Sequence, residues 1–187
     1  VAMPSSAYEA KGLMKTAIRD NNPVIIFEDK LMYQDKALVP EEEYLIPFGA
    51  AHILREGTDI TLVATSSMVQ VAQTAADRLD EHGVSAEVID PRTIAPLDEE
   101  TILASVKKTS RAIVIDEGHQ SYGVTAEIAA RIAEKAFYHL DAPVQRLGAM
   151  DVPIPFSPAL EDLTVPTPED VVARALMAMR GELFHVS

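Results

Sequence analysis

The stretch ITLVATSSMVQVAQTAADRLDEHGVSAEVID, residues 60–90, decides the fold. Ile60 to Ala64 is short and apolar, the pattern of a strand buried on both faces. Thr65-Ser66-Ser67 offers N-cap residue types, and Met68 to about His82 carries helical spacing that Gly83 ends. Ala86 to Ile89 is a second short strand. A strand, a helix and a strand joined by tight turns make one βαβ unit, which winds right-handed into a parallel sheet.

Read outward, the alternation continues. Asp90 to Leu97 is a loop with two prolines, and Asp98 caps a helix from Glu99 to Lys108. Acids open that helix and Lys107 and Lys108 close it, as the helix dipole prefers. Ala112 to Ile115 is a strand, Glu117 to Gly123 a loop, Val124 to about His139 a helix, and Val144 to Leu147 a strand. After the proline-rich stretch Pro153–Pro158, a last helix runs from about Pro168 to Gly181, with Pro168 suited to its first turn. On the other side, Ser5 and Ser6 precede a helix from Ala7 to Asp20 that Asn21-Asn22-Pro23 stops. Val24 to Phe27 reads as a buried strand, and Asp35 to Glu43 as an exposed crossover. The fold class expected is α/β: three layers, a mostly parallel sheet with helices on both faces. The chain opens on Val1 rather than Met, and its first residues read as a strand end entering a helix, as expected of a fragment of a longer protein.

Composition bounds the function. With 48% of its 187 residues apolar, the chain has enough hydrophobic material for a core. No run of about 18 apolar residues is present, so no helical membrane span is expected. The absence of cysteine excludes disulfides, thiolate nucleophiles and cysteine metal sites. A formal net charge of −13 disfavours nucleic acid, whose phosphates are neutralised by Lys and Arg, and favours a basic protein partner.

In an open α/β sheet, ligands sit beyond the carboxyl ends of the strands. That rule singles out Thr65-Ser66-Ser67, Asp90 to Leu97 and Asp116 to Gly123. The last carries two glycines, Gly118 and Gly123, between a strand and a helix, as in loops that cradle phosphate. The Lys-Ser/Thr pair of such a loop is replaced by Val124-Thr125, and Asp116 and Glu117 repel anions. A turn-shaping role is expected, with His119 and Tyr122 facing solvent or a subunit interface. His119 is a candidate general base because imidazole titrates near neutrality, but the sequence places no second group to orient it. None of His52, His82, His139 and His185 stands at a metal-ligand spacing. The Ser66-Ser67 turn lacks the glycines of a hydrolase elbow and reads as a cap.

Six segments in order carry a resemblance: Ala17 to Glu28, Tyr44 to Gly49, Val88 to Asp98, Glu117 to Ile128, Leu140 to Val144 and Asp151 to Glu161. Together they resemble the beta subunits of thiamine-diphosphate-dependent pyruvate, branched-chain 2-oxo acid and acetoin dehydrogenases, from Val1 to about Gly181. The resemblance implies that residues 1–28 are the last helix and strand of a pyrimidine-binding domain. Residues 29–47 are then a linker, 48–181 a transketolase-like C-terminal domain and 182–187 a tail. It implies thiamine diphosphate with magnesium in the intact enzyme, not held by this chain. It also implies a potassium ion bound by main-chain carbonyls at Ala17, Asp20 and Asn22, a set left incomplete here. The implied partners are an alpha subunit, a second beta subunit and the binding domain of a lipoyl acyltransferase, the last meeting Asp141. A bacterial cytoplasmic location, no membrane and no nucleic acid are expected, with no catalytic residue in this chain beyond the candidate His119. Between acetoin and the 2-oxo acids the residues do not choose. The alternative is a stand-alone anion-binding α/β module built on residues 118–123.

Overall fold

In the computed structural model, residues 1–182 are described; the expected tail, Glu182 apart, and His185 lie outside them. Five strands form one sheet in the order β1 (His52–Arg55), β3 (Ala86–Asp90), β2 (Ile60–Ala64), β4 (Ala112–His119), β5 (Gln145–Ala149). β2, β3, β4 and β5 run parallel, while β1 pairs antiparallel with β3 at the edge. Every residue of β2 and β3 is buried, as a strand covered on both faces must be.

Two helices cover each face. On one, α2 (Met68–Glu81) and α6 (Pro168–Met179), which follows the short α5 (Pro158–Glu161), close over Ile60, Leu62, Val88, Ile113 and Ile115. On the other, α3 (Glu99–Thr109) and α4 (Val124–Ala136) close over Val63, Ile89 and Val114. The alternation of apolar side chains along β2, with Leu62 on one face and Val63 on the other, is therefore a division between two cores. This is the three-layer α/β architecture expected from the sequence.

Local chemistry sets the helix ends. The Asp98 side chain accepts the Thr101 N–H at 3.1 Å and starts α3. Thr167 and Asp170 make a reciprocal capping box at α6, with Pro168 in the first turn. Ser6 caps α1 (Ala7–Arg19) through the Glu9 N–H. The reading of Thr65-Ser66-Ser67 as a cap is corrected: α2 has no side-chain cap bond, because the Ser67 hydroxyl is turned onto Glu117 instead.

Three further departures have physical causes. Val24–Phe27 is no buried strand; it makes a single bridge, Ile26 to Ala2, and Ile25 and Phe27 are each 56% exposed because, among the described residues, nothing covers them. β4 runs to His119, past the expected stop at Ile115, because β5 pairs with it as far as Ala149 across an irregularity. β1 was not expected: it is a half-buried edge strand of four residues whose register slips between Ile53 and Arg55. Such a strand carries no regular apolar alternation for a sequence to display.

The N-terminal segment and the linker form a small core of their own. Leu13 of α1 packs with Ala2 and Ile46, Tyr8 stacks on Tyr44 at 4.5 Å, and Thr16 donates to the Ile46 carbonyl at 2.7 Å. Gly12 lets the linker approach, since a Cβ there would lie 2.5 Å from the Ile46 side chain. In the main sheet, Leu62→Ala removes a wholly buried side chain from the middle of one core. The expected cost is about 2–5 kcal/mol, read as a lower urea midpoint at unchanged slope; an unchanged midpoint would contradict the two-core packing.

Candidate functional site

The carboxyl ends of β2, β3 and β4 carry the polar groups that the buried strands exclude. Asp90 is the last residue of β3 and is buried. Its carboxyl accepts the Ser5 hydroxyl at 2.5 Å and the Arg92 N–H at 2.7 Å. Burial pushes its pKa up to about 6, the two hydrogen bonds pull against that, and the Glu9 carboxylate adds to the rise. Glu9, on α1, takes the opposite direction. Burial raises it, but hydrogen bonds from Ser6 and from the Arg92 guanidinium, at 2.9 Å from Nη2, outweigh burial and hold it below the ordinary range. His52 of β1 lies 3.5 Å from the same carboxylate. Arg92 reaches this position with φ +59, a left-handed conformation uncommon outside glycine and Asn/Asp.

Next along the sheet, Thr65 at the end of β2 donates to Asp116 of β4, and Ser67 donates to Glu117. Burial raises the Glu117 pKa; Ser67 opposes this, and the nearby Asp29 and Asp116 reinforce it. Asp116 also accepts the Gly118 N–H at 3.0 Å. The two glycines are explained by close approach: a Cβ at Gly118 would lie 2.7 Å from the Asp116 carboxylate, and one at Gly123 would lie 2.2 Å from the His119 carbonyl. They shape a tight turn, the role expected of them.

The exposed His119 has its Nε2 3.0 Å from the Val152 carbonyl, and Ser121 donates to Asp151 at 2.5 Å, so the turn is pinned to the proline-rich stretch. A main-chain carbonyl, not a carboxylate, orients the imidazole. Tyr122 projects fully into solvent. These groups do not fit a diphosphate: the strand ends offer Asp90, Asp116 and Glu117, and Arg146, the cation at the 118–123 turn, has its Nη1 donating to the Gln120 carbonyl at 2.9 Å.

The other expected positions lie apart from this crest. Ala17 is in the last turns of α1, and its carbonyl accepts the Asp20 N–H at 3.2 Å. Asp20 accepts the main-chain and side-chain N–H groups of Asn22 at 2.8 and 3.0 Å, which lower its pKa. Ala17, Asp20 and Asn22 are thus together at one helix end, with Asp20 and Asn22 exposed. Among the described residues, no three His, Asp or Glu side chains gather as a metal cluster. Asp141 sits across the molecule, 60% exposed, with Arg111 at 3.4 Å. It rims an apolar groove of about 820 Å³ between α4 and β5, lined by Ala126, Ala130, Ala133, Phe137 and Tyr138.

Sequence reasoning found the strand-end loops through the general rule for α/β sheets. It missed Ser5, Glu9, Asp90 and Arg92 as one cluster, because their separation along the chain hides their contact. An ionisable residue closing a buried strand, Asp90, was the available signal.

Residues 49–171 match the model of the family described as transketolase, C-terminal domain. The beta subunit of acetoin:2,6-dichlorophenolindophenol oxidoreductase from Bacillus subtilis is 49% identical over 174 residues, covering 93% of this chain and 51% of that protein. The mitochondrial pyruvate dehydrogenase E1 component subunit beta-1 of Arabidopsis thaliana is 48% identical, covering 92% and 48%. The pyruvate dehydrogenase E1 component subunit beta of Bacillus subtilis is 46% identical, covering 94% and 54%. The chain spans about half the length of these curated relatives. Among solved structures, a split-gene transketolase in an inactive beta4 tetramer aligns with TM-score 0.79 at 26% identity, over 97% of this chain and 57% of that one. A transketolase from Pichia stipitis shares the fold, with TM-score 0.65 at 21% identity, over 96% of this chain and 25% of that one.

The Glu9–Arg92 pair gives a test of the crest. Glu9 is held below its ordinary value of 4.5, so the pair stabilises above that pH and its contribution is lost on acidification. Arg92→Met leaves a buried carboxylate without its cation. The expected cost is about 3 kcal/mol at pH 7, shrinking towards pH 4, where Glu9 takes up a proton instead. Equal urea midpoints for variant and wild type at pH 7 would refute the pairing.

Proposed function

The chain belongs to the transketolase C-terminal domain family, and on that premise we propose that it is the C-terminal part of a beta subunit of a thiamine-diphosphate-dependent 2-oxo acid or acetoin dehydrogenase. The observation that carries this reading is the uneven likeness to relatives. Identity is 46–49% along more than nine-tenths of the chain to acetoin and pyruvate dehydrogenase beta subunits, and 26% to the split-gene transketolase. In this reading the intact enzyme oxidatively decarboxylates a 2-oxo acid or cleaves acetoin and passes the acyl group to a lipoyl carrier. Thiamine diphosphate and magnesium are held elsewhere, by the alpha subunit and the preceding domain.

This part serves assembly. Residues 1–28 close the preceding domain, 29–47 link, and 48–181 form the domain that meets a second beta subunit and the acyltransferase core. Its acidic balance of 29 Asp and Glu against 16 Lys and Arg suits a basic binding domain, chiefly by speeding encounter. The exposed Asp141 at the rim of the α4–β5 groove is the proposed contact. The anion-module alternative is disfavoured by the carboxylates Asp116 and Glu117 beside the 118–123 turn. The carbonyls of Ala17, Asp20 and Asn22 fit part of a potassium site, whereas a hard cation takes about six or more oxygens.

Native mass spectrometry tests the reading. The 20.3 kDa chain is expected as a dimer whose mass is unchanged by thiamine diphosphate and magnesium, with no pyruvate- or acetoin-dependent dye reduction. A species with thiamine diphosphate bound would overturn it. Asp141→Lys is expected to weaken capture of the acyltransferase binding domain about tenfold or more, and an unchanged affinity removes Asp141 from that contact. Calorimetry with potassium chloride is expected to be flat; a tight, saturable site would mean that the ligand set is complete without further residues.

A further inference from the structure

The first residues of the chain are joined to the main sheet through the loop that follows β3. Ala2 bridges Ile26 on one side and Thr93 on the other. The Met3 N–H donates to the Arg92 carbonyl and the Ile94 N–H to the Val1 carbonyl, both at 2.9 Å. Beneath this ribbon lie two carboxyls, one from each side of the joint: Glu9 from α1 and Asp90 from β3. The Arg92 guanidinium is hydrogen-bonded to Glu9 and gives Asp90 its main-chain N–H, with a weaker pull of its charge on Asp90. Asp90 is therefore sealed against Ser5 with no ion pair among the described residues and with Glu9 as a charged neighbour.

We propose that the contact between residues 1–9 and the end of β3 is a proton-operated joint, closed while the Asp90 carboxyl is protonated and loosened when it ionises. A protonated carboxyl is neutral under Ser5 and is not repelled by Glu9. An ionised one is a buried charge beside a second carboxylate. The groups facing it are Glu9 and Ser5 from the N-terminal segment, Arg92 from its own loop, His52 from β1 beyond Glu9, and the α-amino group of Val1 on the Ala95 carbonyl. Of these, Glu9 is held ionised by Arg92 well below neutrality, so Asp90 is the carboxyl that changes state. A carboxyl whose pKa is higher docked than undocked favours docking at low pH and loses that contribution as the pH rises through about 6.

Residue-resolved hydrogen exchange on the full 187-residue chain tests the joint through the amides of Ala2, Met3 and Ile94. After correction for intrinsic exchange rates, their protection is expected to be about tenfold lower at pH 8 than at pH 5, while amides of β2 keep theirs. Asp90→Asn, which mimics the neutral carboxyl, is expected to abolish the difference. His52→Gln is expected to preserve it. Protection equal at the two pH values, or a difference that survives in Asp90→Asn or vanishes in His52→Gln, overturns the proposal. Should Asp90→Asn fail to fold, the carboxyl carbon shift of Asp90 in the wild type decides. Titration near pH 6 together with the amide opening supports the joint, and titration at an ordinary aspartate value overturns it.

Discussion

Burial of the central strands on both faces constrains everything else in this chain. β3, β2 and β4 lie between two helical layers, so their main-chain groups must pair within the sheet and their side chains must be apolar nearly throughout. The exceptions prove instructive. Thr61 is accommodated only because Ser105 and Thr109 of α3 turn hydroxyls towards it at 2.6 and 2.7 Å. Glu87, wholly buried, takes the Gly57 N–H and the Lys108 ammonium. Each polar side chain admitted to the sheet interior is met by a partner brought from another element, as the cost of an unmet buried group requires.

The same exclusion concentrates polarity where the strands end. Asp90 closes β3, Asp116 and Glu117 lie in the last half of β4, and hydroxyls of Ser5, Thr65 and Ser67 meet them. The crest is acidic, its turns are closed by glycines in near contact with neighbouring atoms, and one of its carboxylates is used to fasten the N-terminal segment. These features suit a surface that joins one unit of a protein to another better than one that holds a phosphorylated ligand.

The two ends of the molecule divide the labour accordingly. At the strand ends, α1 and the linker are attached through Glu9, Arg92 and Asp90. On the far side, α4 presents an alanine-lined groove rimmed by Phe137, Tyr138 and Asp141. Large exposed apolar groups rimmed by charge mark surfaces that meet partners.

The sequence by itself determined the α/β class, the three-layer sandwich, the caps of α1 and α3, the first-turn proline of α6, and the turn-shaping glycines, because each depends on neighbours a few residues apart. It pointed to the strand ends as the place for a candidate site, because parallel topology follows from local alternation. Tertiary structure alone decided the rest. β1 exists only because β3 offers it an edge. Val24–Phe27 is left exposed because, among the described residues, no further strand lies beside it. Ser67 abandons the helix it precedes because Glu117 stands within reach. Asp90 and Glu9 acquire opposite protonation behaviour because burial outweighs hydrogen bonding at Asp90, whereas at Glu9 the hydrogen bonds from Ser6 and from Arg92, 83 residues away, outweigh burial. The pKa of a carboxyl is set by burial and by charges a few ångströms away, and distance through space is the quantity a linear sequence does not carry.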